Sequence, residues 1–179
     1  EPARFGGKRI IDVQKEAAFL LGEAMASVGD RFALYGYSGF SREDVAFYTA
    51  KRFDEQFGDT VTARLGGFDF KMENRDGAAI RHAGAKILRE RSKVRALFLL
   101  SDGKPLDCGG PVYQDEYAKA DTRRALEELR TEGVRCFCIT VDPRGGDYLS
   151  DVYGVGNYVV VDDVERLPRV LPRFYKQIT

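Results

Sequence analysis

Residues 94–107 read VRALFLLSDGKPLD, and this stretch decides the fold. The run from Val94 to Leu100 is almost continuously apolar, which is typical of a strand buried on both faces of a parallel sheet. Asp102 follows at the end of that strand, where a carboxylate is costly unless it is paired, hydrogen-bonded or bound to a metal. The stretch therefore predicts a buried strand that ends in a functional loop; the alternative is that Asp102 only caps the turn.

Strand-like and helix-like segments alternate on either side of this stretch. Further strands are predicted at Phe32–Tyr37, Val45–Tyr48, Val134–Val141 and Tyr158–Val161. Apolar residues at helical spacing predict helices over 10–28, 80–88, 118–129, 147–153 and 164–178, while 54–72 is ambiguous. This alternation predicts a single α/β domain over residues 1–179, with a doubly wound, mostly parallel sheet covered by helices on both faces.

Composition excludes several classes of function. The 28 Lys and Arg residues balance 28 Asp and Glu residues, so no net field attracts nucleic acid or an anionic membrane. No apolar run approaches the roughly 18 residues of a membrane span. Three cysteines form no disulfide framework and favour a reducing, cytoplasmic location. Because the chain starts at Glu1 rather than Met, we expect it to be the C-terminal part of a longer protein.

Common catalytic and cofactor motifs are missing from the sequence. Neither the phosphate-binding loop G-x-x-x-x-G-K-[ST] nor the dinucleotide pattern G-x-G-x-x-G occurs. His82 is the only histidine, and no nucleophile motif accompanies it. Cys136 and Cys138 alternate along a strand, so they should share one face as buried thiols rather than bind zinc.

Polar residues cluster where the predicted strands end. In parallel α/β sheets, ligands bind beyond the carboxyl ends of the strands, and this rule selects Ser38, Asp102 and Asp142. It also selects the loop Asn74–Gly77, which opens a helix. Two oxygen-bearing loops at one edge of a sheet could bind a hard cation such as Mg²⁺.

The segments FALYGYS (32–38), NRDGAAIRHA (74–83), LFLLSDGKPLD (97–107) and CFCITVD (136–142), in this order, resemble a von Willebrand factor A (VWA) domain over essentially the whole chain. Residues 74–83 and 99–107, together with Tyr148-Leu149 and Leu167-Pro168, resemble the bacterial subgroup found in nitric-oxide-reductase activation proteins of the D type. The adaptor subunit of one Rubisco activase type is similar, and a cobalt chelatase subunit more distantly so.

The resemblance implies a metal-ion-dependent adhesion site (MIDAS) built by three loops. Asp102 matches the Asp of the third loop, and Asn74 stands where the family has a Thr. The first loop, D-x-S-x-S, does not occur in this sequence. In the family it follows the first, central strand of the sheet, so we expect that strand and the remaining Mg²⁺ ligands upstream of Glu1.

The resemblance also implies a non-catalytic adaptor that binds a target protein, with a target carboxylate completing the metal coordination. Such domains work with a MoxR-type AAA+ ATPase to activate a metalloenzyme such as nitric oxide reductase, or, alternatively, Rubisco. Ser38, Asp76, Lys104 and Asp107 are the predicted partner-binding residues. Two other readings remain: a metal-free structural domain, and a Mg²⁺-dependent phosphoryl-transfer enzyme that uses Asp102 and Asp142.

Overall fold

The computed structural model describes residues 4–5, 7–69, 71–101, 113–140, 145–161 and 166. The first half of the chain forms β1 (Arg4–Phe5), β2 (Lys8–Arg9), α1 (Ile10–Ser27), β3 (Leu34–Phe40), β4 (Asp44–Lys51), α2 (Asp59–Gly66) and α3 (Asp76–Ile87). The second half forms β5 (Arg95–Ser101), α4 (Asp115–Thr131), β6 (Val134–Thr140), α5 (Gly146–Tyr153) and β7 (Tyr158–Val160). The predicted α/β fold is confirmed.

The parallel sheet is built from the most apolar strands of the chain. Strands β5, β6 and β7 lie in that order, and both neighbouring pairs are parallel. The middle strand, β6, is buried along nearly its whole length, whereas most of β5 is only half-buried. The apolar run at 94–100 thus forms a strand as predicted, but its burial is incomplete.

Strands β3 and β4 form a separate antiparallel hairpin. Among the described residues, no strand is hydrogen-bonded to the second edge of β3 or of β5. The described strands therefore make two main sheets rather than one continuous sheet, and the edges of β3 and β5 border a gap between them.

Helices cover both faces of this arrangement, as the sequence predicts. On one face, Val13, Ala17, Leu21 and Met25 of α1 pack with Ile139 of β6. On the other face, α3, α4 and α5 pack on the same strands through a second cluster: Ile80, Leu126, Leu129, Cys136, Cys138, Leu149 and Tyr153. Full burial of each large side chain stabilises the fold by about 1.5–3 kcal/mol. The two packed layers therefore hold the strands, and the loops that follow them, in fixed positions.

Several boundaries differ from the sequence prediction. Strand β3 continues to Phe40, so Ser38 lies within the strand rather than after it. The ambiguous region contains α2, whose only buried residues are Val61 and Leu65, one helical turn apart. So short an apolar stripe explains why periodicity missed this helix. The predicted helix at 164–178 lies outside the described residues, apart from Arg166.

None of the helices described combines the length and the hydropathy that a membrane crossing requires.

Candidate functional site at the carboxyl end of the sheet

Ser38 connects the end of β3 to the loop that precedes α3. Its hydroxyl accepts a hydrogen bond from the Met72 backbone nitrogen at 2.9 Å and donates to the Glu73 carbonyl at 3.3 Å. The next residue, Gly39, donates its backbone N–H to the same carbonyl at 2.8 Å. These bonds hold residues 72–74 along the strand and so fix the position of Asn74. Ser38 is only 7% exposed.

Asn74 and Tyr37 both donate to one buried carboxylate. The Asn74 Nδ2 lies 3.0 Å from Asp76 Oδ1, and the Tyr37 hydroxyl lies 2.8 Å from the same oxygen. Asp76 is 2% exposed and is the first residue of α3. The helix dipole favours a negative charge at this position, and the two donors offset part of the cost of burying it. Because the amide nitrogen of Asn74 faces Asp76, its carbonyl oxygen is the atom that could bind a cation.

The charge of Asp76 affects the pKa values of two buried side chains in the apolar cluster between β6 and the helices α3, α4 and α5. Burial is the main cause that raises the pKa of the Cys138 thiol and of the Tyr153 hydroxyl, and the Asp76 carboxylate raises both pKa values further. Both groups therefore stay protonated and neutral. The Asp76 carboxylate therefore has neutral, buried groups next to it where it faces Cys138 and Tyr153.

Tyr113 joins the start of α3 to α4 and was not singled out by sequence analysis. Its hydroxyl accepts from the Gly77 backbone nitrogen at 3.3 Å and donates to Asp121 Oδ2 at 2.9 Å. Its ring lies under the guanidinium of Arg75, 4.7 Å from the ring centroid. Burial raises the pKa of the Tyr113 hydroxyl, so it remains a donor. No local sequence pattern signals this residue, because its partners are 8 to 38 positions away.

Asp121 is also paired with Arg81 of α3, at 2.8 Å. Arg81 bonds Glu128 as well, at 2.7 Å, and this hydrogen bond is the main cause that holds the pKa of the Glu128 carboxyl below its ordinary value. A Cβ atom on Gly77 would lie 2.1 Å from Asp121 Oδ2, so any larger residue there would displace the Asp121 carboxylate from its partners. The start of α3, and with it Asp76, is therefore rigidly attached to α4.

The structure brings together three of the residues that sequence analysis selected: Ser38, Asn74 and Asp76. Asp102, Lys104, Asp107 and Asp142 lie outside the described residues. The described residues that flank the segment 102–112, Ser101 and Tyr113, are both buried. The site roles predicted for all seven residues remain predictions.

The described donors have the right chemistry for a hard cation, although they do not form a complete site. They are oxygen atoms of an amide, a carboxylate and a hydroxyl, which suit Mg²⁺ or Ca²⁺ better than softer metals. Within the part of the chain that the structure describes, no three His, Cys, Asp or Glu side chains are grouped to hold a metal ion. Any complete site thus needs ligands beyond these residues.

The remaining candidates have structural surroundings. His82 is exposed on α3, and its ring contacts the edge of Phe47 at 4.5 Å between centroids. Cys136 and Cys138 lie in one apolar cluster on the same side of β6, and both are free thiols. This confirms that the two cysteines share a face and are buried.

Comparison with known proteins shows relatives that match nearly the whole chain. It is 38% identical over 171 residues to a protein named NorD from Brucella melitensis, which covers 96% of this chain. It is 36% identical over 158 residues to a NorD protein from Stutzerimonas stutzeri, and 38% identical to an uncharacterized protein from Pseudomonas aeruginosa. The chain spans about a quarter of the length of these relatives, 27% for the first. No family model matches the chain.

Solved structures with a similar fold are distant in sequence. The pilus adhesin SpaC from Lactobacillus rhamnosus GG matches with a TM-score of 0.69 at 12% identity, over 96% of this chain and 28% of that one. The proximal thread matrix protein 1 of the mussel byssus matches with a TM-score of 0.61 at 16% identity, over 90% of this chain and 40% of that one. At these identities, the likeness concerns the fold alone.

Proposed function

We propose that this chain is a VWA adaptor domain of a NorD-type protein, which activates nitric oxide reductase together with a MoxR-type AAA+ ATPase. The observation that carries the proposal is the 38% identity to a NorD protein across 96% of the chain. The domain binds a target and performs no catalysis itself, and it works in the cytoplasm, where the ATPase supplies the energy. The names of the relatives favour nitric oxide reductase over Rubisco as the client.

The target binds at the carboxyl end of the sheet through Mg²⁺ in a MIDAS arrangement. Asn74 and Asp102 are two of the ligands, and the D-x-S-x-S loop of the full-length protein supplies the others. The geometry around Asn74 supports this role, because its amide nitrogen is held by Asp76 and its carbonyl oxygen can bind the ion. A carboxylate of the target completes the coordination.

The four predicted partner-binding residues then divide into two roles. Ser38 and Asp76 are 7% and 2% exposed, so they position the metal-binding loop instead of contacting a target. Lys104 and Asp107 flank Asp102 in sequence and are the proposed contacts for the target.

The test uses the full-length protein with and without the substitution Asp102→Ala. Binding to the purified ATPase and to nitric oxide reductase is measured by surface plasmon resonance in Mg²⁺ and in EDTA. We expect wild-type binding to depend on Mg²⁺, and the variant to lose at least tenfold in affinity while its circular dichroism is unchanged. Asp151→Ala, at an exposed position of α5, is the matched control and should bind as the wild type does.

Nitric oxide consumption by cells that express each variant tests the client. Loss of consumption with Asp102→Ala, but not with Asp151→Ala, supports the proposal. Unchanged Mg²⁺-independent binding by Asp102→Ala contradicts the metal bridge. Normal nitric oxide consumption in a strain that lacks the protein, with a defect in Rubisco reactivation instead, contradicts the choice of client.

A further inference from the structure

The connection between α3 and β5 carries three exposed, positively charged side chains. They belong to Arg89, Arg91 and Lys93, which we call the basic cluster. Glu90 is the only acidic residue in this connection, and it forms an ion pair with Arg31, which precedes β3. The charge of Glu90 is therefore already neutralised, and the basic cluster keeps its net positive charge.

None of the three side chains has a partner within the domain as described. Among the described residues, they form no hydrogen bond, no ion pair and no ring contact. Other exposed cations are paired: Lys8 bonds Glu16 at 2.8 Å, and Arg124 bonds Glu128 at 3.2 Å. The basic cluster can therefore bind anionic groups of another molecule without breaking contacts among these residues.

Capping of helix α3 does not require the basic cluster. Arg89 donates its backbone N–H to the Lys86 carbonyl at 3.2 Å, and the next residue donates to the Ile87 carbonyl at 3.1 Å. The Glu90 carbonyl accepts from Nε and Nη2 of Arg95 at 3.3 and 3.0 Å. The helix dipole stabilises an exposed cation here by only about 0.3–1 kcal/mol, so it leaves the three side chains free to bind elsewhere.

The basic cluster and the candidate site lie at opposite ends of the sheet. The cluster directly precedes β5, whereas Asp76 of the candidate site acts on the pKa of Cys138, which pairs with Leu99 near the other end of β5. Strand β5 runs over 7 residues, Arg95–Ser101, and separates the two ends by roughly 20 Å. Two different molecules could therefore occupy the two ends at the same time.

The size of the cluster favours an acidic protein segment over other polyanions. An anionic membrane attracts each Lys or Arg near its surface by about 1 kcal/mol, so three side chains give only weak binding. Binding of nucleic acid also grows with the number of phosphates that are neutralised, and three is a small number. Arginine binds protein carboxylates in bidentate pairs, and a protein surface adds contacts beyond the three cations.

We propose that the basic cluster binds an acidic segment of a partner protein, at the end of the sheet opposite the candidate site. Arg89 and Arg91 pair with carboxylates of that segment, and Lys93 adds a third positive charge. The inference requires neither a metal ion nor a particular client, so it can fail or succeed independently of the proposed function.

Fluorescence anisotropy of labelled octaglutamate with the full-length protein tests the proposal. We expect the double variant Arg89→Glu/Lys93→Glu to lose at least about tenfold in affinity at low ionic strength, where exposed charges are least screened. Each substitution replaces an attraction by a repulsion, so the same variant should bind octalysine more tightly than the wild type does. Its circular dichroism and melting temperature should match those of the wild type.

Arg42→Glu/Lys71→Glu is the matched control. It also replaces one arginine and one lysine, and both side chains are exposed and without a partner among the described residues. The control should bind octaglutamate within about threefold of the wild type, because isolated surface charges contribute little. An equal loss in the two double variants would overturn the proposal, and so would the absence of octaglutamate binding by the wild type.

The other polyanions are tested with the same variants. The probes are vesicles of phosphatidylcholine with about 30% phosphatidylserine and a single-stranded RNA oligonucleotide. A larger effect of Arg89→Glu/Lys93→Glu on octaglutamate than on either probe supports the proposal. A larger effect on the vesicles or on the RNA shows that the cluster serves a membrane or a nucleic acid, and the proposal is then wrong.

Photo-crosslinking in cells identifies the partner. The full-length protein carries p-benzoylphenylalanine in place of Lys93 or, as the control, in place of Lys71, and crosslinked peptides are identified by mass spectrometry. A crosslink specific to position 93, to a peptide of another protein that is rich in Asp and Glu, supports the proposal. A crosslink within the same polypeptide, or the same products from both positions, overturns it.

Discussion

The two sides of helix α3 differ sharply in packing. One side, with Gly77, Arg81 and Gly84, packs against α4 so closely that a Cβ on Gly84 would lie 2.2 Å from Leu129 Cδ2. On the adjacent side, Ala83 and Ile87 border the gap between β3 and β5 and are only half-buried. Apart from Arg81, the residues named on both sides are small or apolar. The difference therefore comes from what lies opposite each side, not from the helix itself.

This contrast shows that the burial of a helix face depends on the element that packs against it, and not only on the residues of the helix. The α4 side is completed within the described residues, by side chains of α4 that interlock with the glycines. The other side, at Ala83 and Ile87, has an apolar surface that faces the gap between β3 and β5.

The largest expected effect comes from truncating a side chain on each side of α3. Leu129→Ala removes a side chain that is 5% exposed from the α4 side and should lower the free energy of unfolding by about 2–5 kcal/mol. Ile87→Ala, on the side that faces the gap between β3 and β5, should cost less than half as much, because that side chain is only half-buried. Urea denaturation followed by circular dichroism measures both. An equal cost for the two substitutions would contradict the view that the two sides of α3 differ in packing.

The sequence predicted the elements whose pattern of apolar residues is long enough to recognise, and it missed the elements whose pattern is too short. Strands β5 and β6 were predicted from continuous apolar runs, and helix α3 was predicted from apolar residues that recur every 3.6 positions. Helix α2 was missed because its two buried residues make too short a pattern. The hairpin β1–β2 has two residues in each strand, too few for alternation to be visible.

The sequence also predicted only those residues of the candidate site that a local pattern identifies. Asn74 and Asp76 followed from a loop that opens a helix and from the rule that ligands bind at the carboxyl ends of parallel strands. Tyr37 and Tyr113 were not predicted as site residues, although their hydroxyls position Asp76 and Gly77. Their roles depend on contacts across 39 and 36 residues, which no window of sequence contains.

A buried thiol on the α4 side predicts a pH dependence of stability. Burial raises the pKa of Cys136 from an ordinary value of 9.0 to about 11. Between these values the unfolded chain has released the thiol proton while the folded protein keeps it. Stability is therefore lost as the pH rises from 9 to 11, by about 2–3 kcal/mol from this group.

Cys136→Ala is the variant that isolates this effect. Chemical denaturation at pH 8 and at pH 11 should show a smaller loss of stability in Cys136→Ala than in the wild type. Tyr113 and Tyr153 also have raised pKa values, but they titrate in both proteins and cancel in the difference. Equal losses in the two proteins would show that the Cys136 thiol is accessible to solvent.

The smallest of these effects concerns the glycine at the start of α3. Gly77→Ala should lower the free energy of unfolding by about 1–2 kcal/mol, because the new Cβ would displace Asp121 from Tyr113 and Arg81. Overpacking costs about 1–3 kcal/mol, and the better helix propensity of alanine returns up to about 1 kcal/mol. Thermal and urea denaturation measure the net effect.

Asp121→Ala separates collision from lost hydrogen bonding. It removes the atom that the new Cβ would meet, so Gly77→Ala should cost less in the Asp121→Ala background than in the wild type, and a double-mutant cycle should give a coupling of about 1 kcal/mol. Gly66→Ala is the matched control on α2, where nothing lies within 4 Å of the new Cβ, and it should not destabilise the protein. If Gly77→Ala behaves like Gly66→Ala, the α4 side of α3 is looser than its short distances indicate, and the contrast with the side that faces the gap is lost. If the coupling appears, the position of Asp76 at the start of α3 depends on the side of the helix that packs against α4.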